Sequence, residues 1–250
     1  MYRLLALSFL NVGMAVAIVG YRTYPDADVS EQTKDLSLAL DVLKSTKPFL
    51  FYAPSAKYSG ACIMGHSSGA HIALMLIYHQ IKVDSTPFHS FVGISGPYCI
   101  NSHFEYEAFR GVEQISPMKV SVFFFICTFL TSCNTKAACG HTPHNFLLNS
   151  PHVQIYHYLS EHPDRISHIP RLLFVHGIMD ATVPFATAAD AAKLLRSCGV
   201  KNVQELYLSK VNHTDAIVQF MIGGKTCDRV IHWLQNDDFL SDVYLDGSSL

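Results

Sequence analysis

The segment that most restricts what this chain can become is Gly65-His66-Ser67-Ser68-Gly69. It follows a short apolar run, Ala61 to Gly65, which reads as a buried strand. It precedes Ser68 to Gln80, whose Ala70, Ile72, Ala73, Leu74, Leu76 and Ile77 read as a buried helix. A serine held between two glycines at a strand-to-helix turn is forced to project its hydroxyl from the sheet edge, because the glycines let the turn close without a Cβ clash. The start of the following helix then offers free N–H groups and the positive end of its dipole to charge that develops nearby. Ser67 is therefore the candidate nucleophile, and the Ser68 backbone N–H a candidate oxyanion donor. His66 and His71 read as packing or supporting polar residues.

The rest of the chain alternates strand and helix, which predicts an α/β fold with a mostly parallel central sheet covered on both faces. Leu4 to Leu10 suits a helix that Gly13 ends, and Met14 to Tyr21 reads as a buried strand. The competing reading of this apolar start is a signal peptide, but no small-residue cleavage site stands out. Ser30 is the expected cap of a helix running to about Lys44. Phe91 to Ser95, Arg171 to His176 and Val203 to Leu208 are further strands. Ala186 to Cys198 is a helix, and a last helix falls between Asp215 and Leu234. Residues 97–169 hold no sustained period and are rich in His, Phe, Tyr and Pro, which suggests a cap-like insertion within a single domain spanning 1–250. The apolar tract 120–136 is too short to cross a bilayer unaided, which takes about 20 residues.

A serine nucleophile needs an imidazole to take its proton and a carboxylate to fix that imidazole's tautomer. On a sheet with such an elbow the order is Ser, then Asp or Glu, then His, with the last two after late strands. Asp180 follows the strand Arg171 to His176, and His213 follows the next strand, Val203 to Leu208. They are the candidate acid and base. Asn212-His213-Thr214 also matches a glycosylation acceptor, read here as fortuitous. Pro97, Tyr98, His103 and Phe104 are candidate pocket residues, although core packing explains aromatics equally well.

Several function classes are excluded or disfavoured. The 18 Lys and Arg against 20 Asp and Glu leave a net charge of -2 and no clustered basic face, so a nucleic-acid partner is not expected. The 7 Cys are odd in number and contain no C-x-x-C pair, unlike a disulfide framework or zinc site. No metal or organic cofactor is expected.

Beyond these residues the chain resembles the α/β-hydrolase esterase/lipase superfamily. The nearest branch is that of isoprenylcysteine alpha-carbonyl methylesterase-like enzymes and kynurenine formamidases. Tyr21-Arg22-Thr23-Tyr24-Pro25 with Asp35, Met64 to Ala73, Ile94 to Tyr98, Arg110 to Glu113, Ser116-Pro117, His176-Gly177 with Asp180, His213-Thr214-Asp215 and Gly223-Gly224-Lys225 carry the likeness. The resemblance implies a serine esterase acting on a small-molecule ester, with the methyl ester of a prenylated cysteine as the leading substrate. It also implies membrane association through a lipidated substrate, in the cytoplasm or at the endoplasmic reticulum or Golgi membrane. An arylformamidase and a catalytically impaired relative stay open as alternatives. The family's His-Gly-Gly oxyanion loop and first strands would precede the helix that begins near Met1, so they are expected to be missing from this sequence. The tract 120–136 interrupts the family pattern as an atypical insert.

Overall fold

The computed structural model describes residues 3–46, 60–85, 87–112, 138–140 and 142–236. The apolar tract 120–136, Ser116-Pro117 and Glu113 of the sequence motifs lie outside the described residues.

A parallel four-stranded sheet organises the molecule, in the order β1-β2-β3-β4, with β1 Ala61–His66, β2 Phe88–Ile94, β3 Arg171–Gly177 and β4 Val203–Leu208. Strand residues alternate between two apolar layers, as the pleat requires. Phe91, Leu172, Phe174 and Val203 face one layer. There they meet α3 (Ser68–Lys82), α6 (Pro151–Glu161) and α7 (Ala186–Ser197) through Ala73, Leu74, Ile77, Ile155, Leu159, Ala188, Ala192 and Leu195. Val92, Ile94, Leu173, Val175, Leu206 and Leu208 face the opposite layer. That layer is built by α1 (Arg3–Leu10), α8 (His213–Met221) and α9 (Lys225–Gln235), with Phe9, Ile217, Phe220 and Trp233 buried in it. A smaller cluster joins α2 (Val29–Thr46), α4 (Ile100–Phe109) and α5 (Pro143–Leu148) to α3 through Val29, Ile72, Ile100 and Phe146.

Local chemistry explains the element ends. Helix α2 begins on a reciprocal pair: Asp28 Oδ1 accepts from the Glu31 N–H (2.9 Å) and Glu31 Oε2 from the Asp28 N–H (3.0 Å), so the cap is Asp28 and not Ser30. After α1 the chain turns at Gly13, whose φ of 83° suits a residue without Cβ. The expected final helix is two helices, α8 and α9, parted by Gly223 in the left-handed region at φ 71°.

Two sequence expectations are corrected. Met14 to Tyr21 forms no strand, and Val16, Ile18 and Val19 are exposed. Apolar, β-branched composition is not enough for a strand, which also needs a partner ladder, and among the described residues β1 pairs with β2 alone. Residues 97–169 are not wholly a cap either. Helix α6 lies in the β2–β3 crossover and buries Ile155 and Leu159 against the sheet, as a parallel connection requires.

Candidate active site

All three candidate catalytic residues sit at the C-terminal ends of parallel strands, where open α/β sheets present their ligand crevice. Ser67 follows β1 directly, at φ 54° and ψ -125°, and heads α3. Its N–H is tied to the Ile94 carbonyl at the end of β2 (2.8 Å), which holds the strained turn in place. A Cβ built on Gly65 would lie 2.3 Å from the Gly69 carbonyl oxygen, so the turn closes only with glycine there. The first backbone bonds of α3 run from Ala70 N and His71 N to the Ser67 carbonyl (3.0 and 3.2 Å). The Ser68 N–H precedes this ladder, as an oxyanion donor at a helix start must.

Asp180 lies in the turn after β3 and His213 is the first residue of α8. The His213 Nδ1–H donates to Asp180 Oδ2 at 2.8 Å, leaving Nε2 as the basic nitrogen. The same carboxylate accepts from the N–H groups of Thr182 (2.9 Å) and Val183 (2.8 Å) through Oδ1. His176 stands 3.3 Å from Oδ2 through Nε2, while that nitrogen also donates to the Val183 carbonyl at 2.9 Å. Burial alone would raise the Asp180 pKa, but the bonds from His176, His213 and Val183 outweigh it and hold the carboxyl well below the usual carboxylate range. Asp180 is thus a carboxylate with fixed orientation.

The base-bearing loop approaches β3 closely. The Val211 carbonyl accepts from the Met179 N–H at 3.1 Å, and a Cβ on Gly177 would lie 2.2 Å from that same oxygen. Asn212 Oδ1 caps α8 by accepting from the Thr214 and Asp215 N–H groups (3.0 and 2.9 Å), which gives the Asn-His-Thr triplet a structural use.

The structure therefore joins the predicted acid and base directly. It brings Ser67 to them through its neighbour: His66 Nε2–H donates to the His213 carbonyl at 3.1 Å, and the two rings lie 4.8 Å apart. Among the described residues no hydrogen bond joins Ser67 to His213 directly; the contact runs through His66.

The candidate pocket residues are placed differently from one another. Pro97 and Tyr98 are buried. Tyr98 is a core residue with no exposed surface, its ring set edge-on against Phe174 at 4.9 Å, so it packs the interior and does not line a pocket. His103 is buried and 3.5 Å from Glu107, one helical turn on. Phe104 packs on Phe146 at 5.4 Å.

Other supports escaped the sequence reading. The Tyr21 hydroxyl meets Ser68 Oγ at 3.2 Å, and Arg22 grips Asp35 through its backbone N–H and guanidinium, the shortest contact being 2.8 Å. Tyr106 (3.1 Å) and Arg110 both donate to the Ala181 carbonyl beside the acid. The motif residues Tyr21, Arg22, Asp35 and Arg110 were visible in sequence, but their partners are distant along the chain. His176 offered a local signal, its four-residue spacing from Asp180.

Among the described residues no group of three His, Cys, Asp or Glu side chains could hold a metal ion. A cavity of about 350 Å³ lined by Phe88, His168, Arg171, Asn202 and Trp233 lies at the opposite, N-terminal ends of β2 to β4.

Comparison with known proteins supplies context for this geometry. Residues 1–195 match the protein-family model described as BD-FAE. A rice protein named probable isoprenylcysteine alpha-carbonyl methylesterase ICME is 26% identical over 90% of this chain and 51% of its own length. The Arabidopsis thaliana isoprenylcysteine alpha-carbonyl methylesterase ICME is 24% identical over 96% of this chain and 53% of its own. The chain thus spans about half the length of these curated relatives. Among solved structures, carboxyl esterase 2 of Tuber melanosporum superposes with TM-score 0.61 at 16% identity, covering 94% of this chain and 70% of that one. An acetyl ester-xyloside bifunctional hydrolase from Caldicellulosiruptor lactoaceticus does so at 0.58 and 15%, covering 92% and 75%. At such identities the likeness speaks to the fold.

Proposed function

The chain belongs to the BD-FAE family and has the α/β-hydrolase fold, and on that premise we propose that it is a serine hydrolase of carboxylic esters using Ser67, His213 and Asp180. The observation that carries the proposal is the 2.8 Å bond from His213 Nδ1 to a buried, ionised Asp180, set at the same end of the sheet as the strained Ser67 turn. In this mechanism Ser67 Oγ attacks the ester carbonyl while His213 Nε2 takes its proton. The Ser68 N–H binds the oxyanion, and Asp180 holds the imidazole and stabilises the imidazolium. The alcohol leaves with the proton from His213. Water then attacks the acyl-serine with the same imidazole as base, releasing the acid.

The relatives' names support a finer proposal for the substrate, the methyl ester of a prenylated cysteine, whose lipid would bring the chain to a membrane surface. Two measurements test both levels. A fluorophosphonate probe and a short p-nitrophenyl ester should react with the wild type, and Ser67→Ala should abolish both; labelling that survives Ser67→Ala rejects the nucleophile. Turnover of a farnesylcysteine methyl ester should exceed that of N-formylkynurenine, and the reverse order would favour amide hydrolysis and reject the finer proposal.

A further inference from the structure

Ser67 and His213 come from strand ends separated by two intervening strands' worth of chain, yet their relative position must hold to within a fraction of an ångström for proton transfer. His66 directly precedes Ser67 in the chain and touches His213. Its Nε2 lies 3.1 Å from the backbone carbonyl of His213, a contact that spans 147 residues of sequence. Its ring lies against the His213 ring, centroids 4.8 Å apart and planes inclined by 44°. A carbonyl only accepts, so the proton of His66 sits on Nε2.

We infer that His66 is a positioning residue that sets the register of nucleophile and base, by tying the residue before Ser67 to the backbone and ring face of His213. This rests on the hydrolase reading above. The base is then held at separate points: Asp180 fixes Nδ1, His66 fixes the carbonyl, and the His66 ring limits rotation of the imidazole. The same residue is covalently joined to Ser67, whose N–H is anchored on Ile94. Any drift of α8 relative to β1 must therefore break a hydrogen bond.

Charge suits this role. Burial, and next the neighbouring His213, lower His66 to about 4, against the smaller opposing effects of its bond to the His213 carbonyl and of Asp180; His176 adds to the lowering. His66 is thus neutral at ordinary working pH. It places no second positive charge beside the imidazolium that forms when His213 takes the serine proton.

The test compares His66→Phe, which keeps a ring but no donor, with His66→Gln, whose amide N–H can reach the same carbonyl. With a short p-nitrophenyl ester, His66→Phe should lower kcat by about 10²-fold, the cost of a misplacement near 1 Å, with KM changed less than about twofold. His66→Gln should keep kcat within about tenfold of wild type, because it restores the bond. Thermal melting of both variants separates misfolding from misplacement. An unchanged kcat in His66→Phe, or equal losses in both variants, overturns the inference. If the wild type neither turns over ester nor takes a fluorophosphonate, the hydrolase reading fails by itself. The downfield proton resonance of His213 Nδ1 on Asp180 then decides: a shifted or broadened signal in His66→Phe supports the positioning role, and an unaltered one rejects it.

Discussion

At the scale of single residues, the two glycines of the elbow are not equivalent, although the sequence writes them symmetrically. A methyl on Gly65 would meet Gly69 backbone atoms at 2.3 Å, whereas a methyl on Gly69 would have the Tyr21 hydroxyl at 3.7 Å as its nearest neighbour from outside the helix backbone among the described residues. Gly65→Ala must displace backbone, at an overpacking cost of about 1–3 kcal/mol, and it moves Ser67 as it does so. Gly69→Ala lies in the first turn of α3, where alanine is the better helix former by up to about 1 kcal/mol. Thermal unfolding with fluorophosphonate labelling should show Gly65→Ala destabilised and labelled at least about tenfold more slowly, and Gly69→Ala close to wild type. Equal behaviour of the two would mean that the close approach across the turn is absent. The same contrast marks what sequence could reveal. The elbow is legible because strain at one serine demands particular neighbours within two residues. The hold of His66 on His213 is not, because nothing local to either residue points across 147 others.

At the scale of elements, sequence specifies structure where one local pattern suffices and not where a partner is needed. Val203 to Leu208 appears with the expected bounds, and α3 runs only slightly past its expected end, because their apolar patterns are dense. Helix α6 anchors itself chiefly through Ile155 and Leu159, one turn apart, among His and Tyr residues that blur the period, so its pattern does not distinguish a crossover helix from a cap. Met14 to Tyr21 carries a strand's composition without a ladder. Helix α8 shows how an element end can serve chemistry, since it is capped at Asn212 and begins with His213. Removing the cap in Asn212→Ala should cost about 1 kcal/mol. Because the freed N–H groups belong to the turn that carries the imidazole, kcat should fall along with stability. Chemical denaturation and ester kinetics check this together, and a stability loss with unchanged kcat would separate the cap from the positioning of the base.

Across the whole molecule, the fold keeps a set of histidines neutral inside it, and this sets how the protein must respond to acid. His66, His71 and His152 are each lowered from 6.5 to about 4, in every case chiefly by burial. Opposing effects are smaller: His71 donates to the Asn149 carbonyl at 2.6 Å and His152 to the Tyr98 carbonyl at 3.1 Å. The sign follows from proton counts. Between 6.5 and about 4 the unfolded chain binds protons at these sites that the folded chain refuses, so stability is complete above 6.5 and drains away as the pH falls through that window. Each group adds a slope of up to about 1.4 kcal/mol per pH unit. Asp180 behaves oppositely. Its depressed pKa contributes stability that is present above the ordinary carboxylate value of 3.8 and is lost as the pH falls through and below it, so it adds almost nothing to the slope between pH 7.5 and 5. Denaturant unfolding at pH 7.5, 6 and 5 should therefore show a steep loss of stability well before carboxylates protonate. His152→Asn, whose amide can still donate to the Tyr98 carbonyl, should remove one titrating group and flatten the slope measurably. Equal stability at pH 7.5 and 5 would mean that these imidazoles accept protons in place, and that the interior around them is wetter than its packing indicates.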